Sequence, residues 1–435
     1  MFINNILEKA QAILSPIAEK SRVLKYTDNV IFLSICATLI SSIFAPSDTI
    51  GYFALIGIFL TIVKILTTKN FKFEYSKFEF CLIVYLCFVV ISVAGSSLFA
   101  LSLKGFLKTL IYLSYYVCCV IYLKDHKKDI YKFLGVIAFC ISTETIVGLL
   151  QNSSHVSALA GWQDTSNLNP EQVMTRVYGT LKPLNPNLFG GYLLAGIPAI
   201  YGFVALFAKR KNYPFMLATL ALSLLSTIVL IMSGCRGVFI AFPLMMLIPA
   251  IILLKKSTET IKRVLYKLYT IIFAFSCFIV MMSTSLRARV LSIFTLRGDS
   301  STSFRMNVYQ SSLQMFKDNP FLGIGVGNQN FRETYGLYMK TGYDALSAYN
   351  IYLETAVESG IFALLAFLGF IFYTVKSSIK TIFSTKNIDK AIILTIALTS
   401  ITGVLCHGFV DTIFFRPQLQ FVFWMMVAII RILTK

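Results

Sequence analysis

The sequence predicts an all-α polytopic membrane protein with about 12 transmembrane helices and a large extracytoplasmic loop between helices 9 and 10. Three observations carry this expectation. Of the 435 residues, 57% are hydrophobic and only 14% charged, with a mean hydropathy of +0.74, whereas soluble domains carry about 25% charged residues. The hydrophobic residues gather in runs near the length of about 20 residues that a helix needs to cross the hydrocarbon layer. Lysine and arginine concentrate in every second loop between those runs, the pattern that orients membrane helices. A soluble enzyme and a disordered chain are both excluded.

Taken in order, residues 1–28 mix Glu8, Lys9, Glu19, Lys20 and Arg22 with apolar residues, without the compact apolar core of a signal peptide. They read as a cytoplasmic amphipathic segment. Apolar runs follow at 29–46, 50–67, 78–100, 104–123, 129–151, 187–208, 213–233, 236–254, 264–284, 347–375, 388–410 and 415–433. Nine spans thus occupy 29–284, the large loop 285–346, and the last three spans 347–435. One set of loops holds Lys64, Lys69, Lys72 and Lys77, then Lys124, Lys127 and Lys128, then Lys209, Arg210 and Lys211, and later Lys376, Lys380, Lys386 and Lys390. The short loops opposite are poor in them: 47–49 has none and 234–236 has only Arg236. Both termini are therefore expected in the cytoplasm.

The net charge of +19, from 39 Lys+Arg against 20 Asp+Glu, would suggest nucleic acid as a partner of a soluble protein. Here it reads as orienting charge, with membrane lipids and no nucleic acid as partners. The nine cysteines are odd in number and form no C-x-x-C pair. They read as small core residues, with no metal site expected.

Candidate chemistry lies where charge meets apolar sequence, because ionisable groups at membrane depth are costly. Arg236 stands in Ser233-Gly234-Cys235-Arg236-Gly237, where one span ends and the next begins. Its planar fork of donors suits phosphate or carboxylate. The large loop adds Arg287, Arg289, Arg297 and Arg305. Met306, Tyr309, Leu313 and Phe316 predict an amphipathic helix from Arg305 to Lys317, with Ser303 as its N-cap. The run Gly323-x-Gly325-x-Gly327 lacks a βαβ context and reads as a turn after Asn319-Pro320. Asn350, Glu354 and Glu358 recur every fourth residue, which predicts one helical face turned to a polar cavity or to arginine partners. Near the end of the eleventh span lie His407, Asp411 and Arg416, the last two a potential pair. Glu144 is a further buried acid in the fifth span with no partner legible in sequence.

Together, Thr175-Arg176-Val177-Tyr178, Asn185-Pro186-Asn187-Leu188, the Arg236 turn, Ser300-Ser301-Thr302-Ser303-Phe304-Arg305, Pro320 with Gly323-Ile324-Gly325, Ala345-Leu346-Ser347-Ala348-Tyr349-Asn350, and His407-Gly408-Phe409-Val410-Asp411-Thr412 with Arg416-Pro417 form an ordered series. Over roughly 140–430 the sequence resembles the O-antigen ligase and polymerase superfamily, nearest to the branch labelled bicarbonate transporter or inorganic-carbon-accumulation protein. The resemblance implies a multi-pass glycosyltransferase of the bacterial cytoplasmic (inner) membrane. Such an enzyme needs no metal or cofactor, and moves a glycan from undecaprenyl pyrophosphate onto an acceptor lipid or glycan. It implies that Arg236 and Arg305 bind the donor's pyrophosphate and that Tyr349, Asn350 and Glu354 are catalytic. Arg297, Glu358, His407, Asp411 and Arg416 would support them. The family's histidine base is replaced here by Tyr349, a poor base at neutral pH. A bicarbonate or small-anion transporter using the same arginines, and a non-catalytic assembly protein, stay open as alternatives.

Overall fold

A computed structural model describes residues 2–21, 24–69, 71–153, 176–256, 281–291 and 301–435, with scattered positions between 259 and 278. Its elements are α1 (Phe2–Lys20), α2 (Thr27–Ser41), α3 (Ser47–Thr67), α4 (Lys77–Gly95), α5 (Phe99–Asp125), α6 (Ile130–Ser153), α7 (Pro186–Lys209), α8 (Tyr213–Met232), α9 (Arg236–Lys256), α10 (Thr284–Leu291), α11 (Ser301–Asp318), α12 (Asn328–Tyr335), α13 (Ile351–Ser384), α14 (Ile388–His407) and α15 (Pro417–Thr434). The described residues contain helices and no strand. Ten of these helices, α3 to α9 and α13 to α15, are long and apolar enough to cross a membrane.

Of the two remaining expected spans, one differs and the other falls largely outside the described residues. The run 29–46 forms only the 15-residue α2, about 22 Å of helix at 1.5 Å per residue and short of the roughly 30 Å hydrocarbon layer. It stops where Ser41 and Ser42 turn their hydroxyls back to the carbonyls of Thr38 and Leu39, and Pro46 then precedes α3. The run 264–284 lies mostly outside the described residues. The bundle wears apolar side chains outward, among them Phe59, Ile62, Phe80, Leu217 and Leu365. α15 is almost wholly enclosed, with Phe421, Phe423, Met425 and Ile429 fully buried. Facing lipid, that enclosure is favoured by close packing rather than by removal from water.

Helix ends sort to two ends of the bundle. At one, Lys64 donates to Asp28 and to Asp125 at 2.8 Å each, Lys209 to Asp389 at 2.6 Å and Lys256 to the Thr385 carbonyl at 3.2 Å. Helix α1 docks there through Gln11 Nε2, 3.0 Å from the Ile65 carbonyl. At the other, Ser47 and Gln418 both donate to the Lys182 carbonyl, at 2.8 and 2.7 Å, and Ser96 donates to the Ile324 carbonyl at 2.8 Å. The lysine-rich loops named above thus meet at the first end.

The tenth apolar run starts four residues later than the sequence suggests, at Ile351, and runs to Ser384 with a break at Gly360 (φ 79°, ψ 176°). That conformation belongs to glycine, and a Cβ there would overlap the Phe321 carbonyl. A break inside an apolar layer frees backbone groups that need partners. The loop 319–327 supplies them: Ile361 N donates to the Pro320 carbonyl (2.8 Å), Ile324 N to Val357 (3.0 Å) and Gly325 N to Glu358 (3.0 Å). The glycine-rich turn is therefore the splint of a broken helix. Gly360→Ala should cost at least about 3 kcal/mol, read as a lower melting temperature in detergent, whereas Ala at the neighbouring exposed Phe362 should cost far less.

The lysine alternation makes a second prediction. In a cysteine-free background an impermeant maleimide added to intact cells should label Glu333→Cys and miss Lys386→Cys, both exposed positions. Labelling of the second alone would invert the orientation.

Candidate functional site

The candidate residues gather at the end of the bundle away from the lysine-rich loops. Among the helices that begin there are α7, α9, α13 and α15. Asn185 caps α7, accepting from the amides of Asn187 and Leu188 at 2.7 and 3.3 Å, with Pro186 in its first turn. Asn350 caps α13, accepting from Tyr352 N and Leu353 N at 2.9 and 3.0 Å. It is therefore the cap itself rather than part of a helical face with Glu354 and Glu358. Arg236 opens α9 and Arg416 directly precedes α15. Helix N-termini and guanidiniums reinforce one another toward an anion.

Asp411, 5% exposed, is the hub. Its Oδ2 accepts from Arg305 Nη2 at 3.1 Å and from Asn187 Nδ2 at 3.2 Å, and its Oδ1 from Thr412 N at 2.8 Å. Asn187 Oδ1 in turn accepts from Arg176 Nη2 at 2.5 Å, and Arg176 Nε donates to the Ser233 carbonyl at 2.8 Å. A continuous polar line thus runs from Arg305 to the turn that carries Arg236. The expected pairing of Asp411 with Arg416 is not made: Arg305 reaches the carboxylate from the large loop instead. Arg176 and Asn187 were not singled out as site residues from sequence. The signal for them was two polar residues set in otherwise apolar or turn-forming motifs.

Arg305 lies in the second turn of α11. This helix begins at Ser301, so Ser303 sits inside the first turn and is not the N-cap. Tyr349 has a left-handed backbone (φ 51°), uncommon for a residue with a side chain. Its carbonyl accepts from Tyr309 OH at 3.1 Å. Its ring lies 5.6 Å from the Arg305 guanidinium and meets Phe304 edge-on at 5.8 Å. Burial, with the Asp411 carboxylate, pushes the Tyr349 phenol above its ordinary value, outweighing the lowering by Arg305 and Arg416.

Glu144, Glu354 and Glu358 form no ion pair with an arginine among the described residues, so of the two surroundings expected for Glu354 and Glu358, a polar cavity or arginine partners, the second is not found. Glu354 Oε2 accepts from Ala348 N at 3.1 Å and Glu358 Oε1 from Gly327 N at 2.8 Å. Glu144 accepts from Thr180 N at 3.0 Å and from the Thr180 hydroxyl. His407, 1% exposed, has Nε2 3.3 Å from Cys235 Sγ, and its Nδ1 has no partner among the described residues. Arg297 lies outside the described residues.

Removing the charge of Asp411 tests its role as hub. Asp411→Asn keeps the size but leaves Arg305, with a side chain 19% exposed, facing no carboxylate. The expected cost is about 3 kcal/mol, with a visibly lower melting temperature, and Asn187→Ala should cost less. An unchanged melting temperature in Asp411→Asn would show the ion pair to be incidental.

Residues 218–368 match the family model described as O-Antigen ligase. The match covers about a third of the chain, including Arg236, Arg305, Tyr349, Asn350, Glu354 and Glu358, and it does not single out the inorganic-carbon branch. No curated protein matches the chain.

Proposed function

We propose that the protein is a glycosyltransferase of the O-antigen ligase type in the bacterial cytoplasmic membrane. It moves a glycan from an undecaprenyl-pyrophosphate carrier onto an acceptor lipid or glycan at the outer face, without a cofactor. The observation that carries this reading is the polar line from Arg305 through Asp411, Asn187 and Arg176 to the Arg236 turn, at the end where α7, α9, α13 and α15 begin. The match to O-Antigen ligase over 218–368 supports it.

In this reading the acceptor's hydroxyl oxygen bonds to the anomeric carbon as the anomeric C–O bond to the pyrophosphate breaks. The pyrophosphate leaves with that electron pair and an added negative charge, and takes up the acceptor's proton. Arg305 is already oriented by Asp411, so no reorganisation is needed as that charge develops. Arg236 and Arg416, each at a helix start, supply further positive potential. Tyr349 keeps its proton, so its hydroxyl orients the acceptor instead of deprotonating it. The large loop 285–346 brings the arginine helix, and the parts at 29–284 and 347–435 bring the remaining groups. Glu354 and Glu358 act by holding the site's loops.

Deleting the gene should make carrier-linked glycan accumulate, and the wild-type chain should clear it. Arg236→Lys or Arg305→Lys keeps the charge but loses the fork, and should slow transfer about 100-fold or more. With the Tyr349 phenol raised above its ordinary value, it stays protonated near neutrality, and wild-type transfer should show no rise owing to this group between about pH 7 and 8. Tyr349→Phe should lower the rate without changing that profile. A deletion strain with normal surface glycan and no carrier-linked build-up would overturn the proposal, and a loss of bicarbonate uptake in it would favour the transport alternative.

A further inference from the structure

The geometry points to a binding site for an anionic phospholipid at the lysine-rich end, among α4, α5, α13 and α15. Two cavities adjoin there. One, of about 210 Å³, is walled largely by apolar side chains including Leu82, Ile83 and Leu86 of α4 and Leu113, Val117 and Val120 of α5. The other, of about 470 Å³, is framed by Lys77, Lys376, Lys380 and Lys435. They share Glu74, Tyr75, Arg431 and Lys435, so the apolar cleft and the cationic one lie side by side.

The carboxylates nearby are already engaged. Glu79 accepts from Arg431 Nε and Tyr116 OH at 2.9 Å each and from Ser76 N at 2.6 Å, and Glu74 pairs with Lys435. Lys77, Lys376 and Lys380, and Lys124 beside the apolar cleft, make no ion pair among the described residues. Lys124 lies 5.6 Å from the Phe71 ring and Lys376 5.4 Å from the Phe372 ring. Such stems follow apolar surface while their ammonium groups reach for polar partners. The missing counter-charge is an anion, and the adjoining cleft asks that the anion carry acyl chains. A phospholipid with its phosphate among Lys77, Lys376 and Lys380 and a chain along Val117 and Ile83 meets both requirements, as basic pockets between membrane helices do. A free phosphate would leave the cleft unfilled, and a zwitterionic lipid would bring its own cation to the lysines.

The test uses the full chain, stripped of lipid in neutral detergent and followed by native mass spectrometry. It is titrated with phosphatidylglycerol, cardiolipin or phosphatidylcholine. The anionic lipids should bind at least about tenfold tighter than phosphatidylcholine. Lys77→Gln, Lys376→Gln and Lys380→Gln, all exposed and so compatible with folding, should each weaken that binding by about fivefold. Val117→Trp should fill the cleft and weaken phospholipid binding while leaving the unliganded melting temperature unchanged. Inorganic phosphate at millimolar concentration should not displace the lipid. Equal affinity for phosphatidylcholine, an unaltered affinity after neutralising all three lysines, or displacement by inorganic phosphate alone would overturn the site. Arg305→Lys, at the opposite end, should leave lipid binding intact, which separates this inference from the proposed transfer activity.

Discussion

A helix interrupted inside an apolar layer must have its freed amides and carbonyls met by other parts of the chain. The break at Gly360 imposes that requirement here, and much of the arrangement follows from it. The loop 319–327 fits against the broken strand of hydrogen bonds, and Ser92 of α4 donates to the Glu358 carbonyl at 2.6 Å. The large loop is thereby fixed to the bundle from its C-terminal half. Helix α11, which precedes the splint by a single short turn, is then held over the start of α13, where Tyr309 reaches the Tyr349 carbonyl. On that helix Arg305 lies within reach of Asp411, its Nη2 3.1 Å from the carboxylate.

The buried acids repeat one device. Glu144 holds the segment around Thr180, Glu354 the segment at Ala348, and Glu358 the segment at Gly327. In each case a carboxyl oxygen on a membrane helix accepts an amide from a loop, a hydrogen bond strengthened by the low dielectric around it. Three loops over the bundle are each fastened in part by a glutamate. Asp411 is the exception in taking a cation, and it is also the acid nearest the arginines. The distinction between acids that fasten loops and the acid that orients a guanidinium explains why charge at membrane depth need not mark chemistry at every position.

The fold class and ten of the spans were legible because hydropathy and the lysine alternation are properties of composition, which sequence records directly. The shortness of α2 was not, since the serines and Pro46 that end it sit within a run that remains apolar on average. The amphipathic helix at 305–317 was visible from its spacing, but its start was placed late because Ser303 resembles a cap. The partners of Glu144, Glu354 and Glu358 left no mark in the sequence: a backbone amide has no residue type. For the same reason Arg416 seemed the natural partner of Asp411, five residues away, when the actual partner lies on a helix 106 positions earlier. The candidate residues could be named from sequence, while their connections required the fold.

Arginine and lysine divide the labour of the two ends. Around the candidate site the cations are Arg176, Arg236, Arg305 and Arg416, and two of them are fixed by hydrogen bonds whose direction sets the plane of the guanidinium. Planar forks held in place can recognise the oxygens of a phosphate with defined geometry. Around the opposite end the cations are chiefly lysines on flexible stems, several with no ion pair among the described residues. Flexible ammonium groups tolerate many headgroup positions and orient the whole chain through net charge. The excess of basic residues is thus divided between guanidiniums held by hydrogen bonds at one end and lysines on flexible stems at the other, two kinds of cation that lose different amounts of freedom on binding.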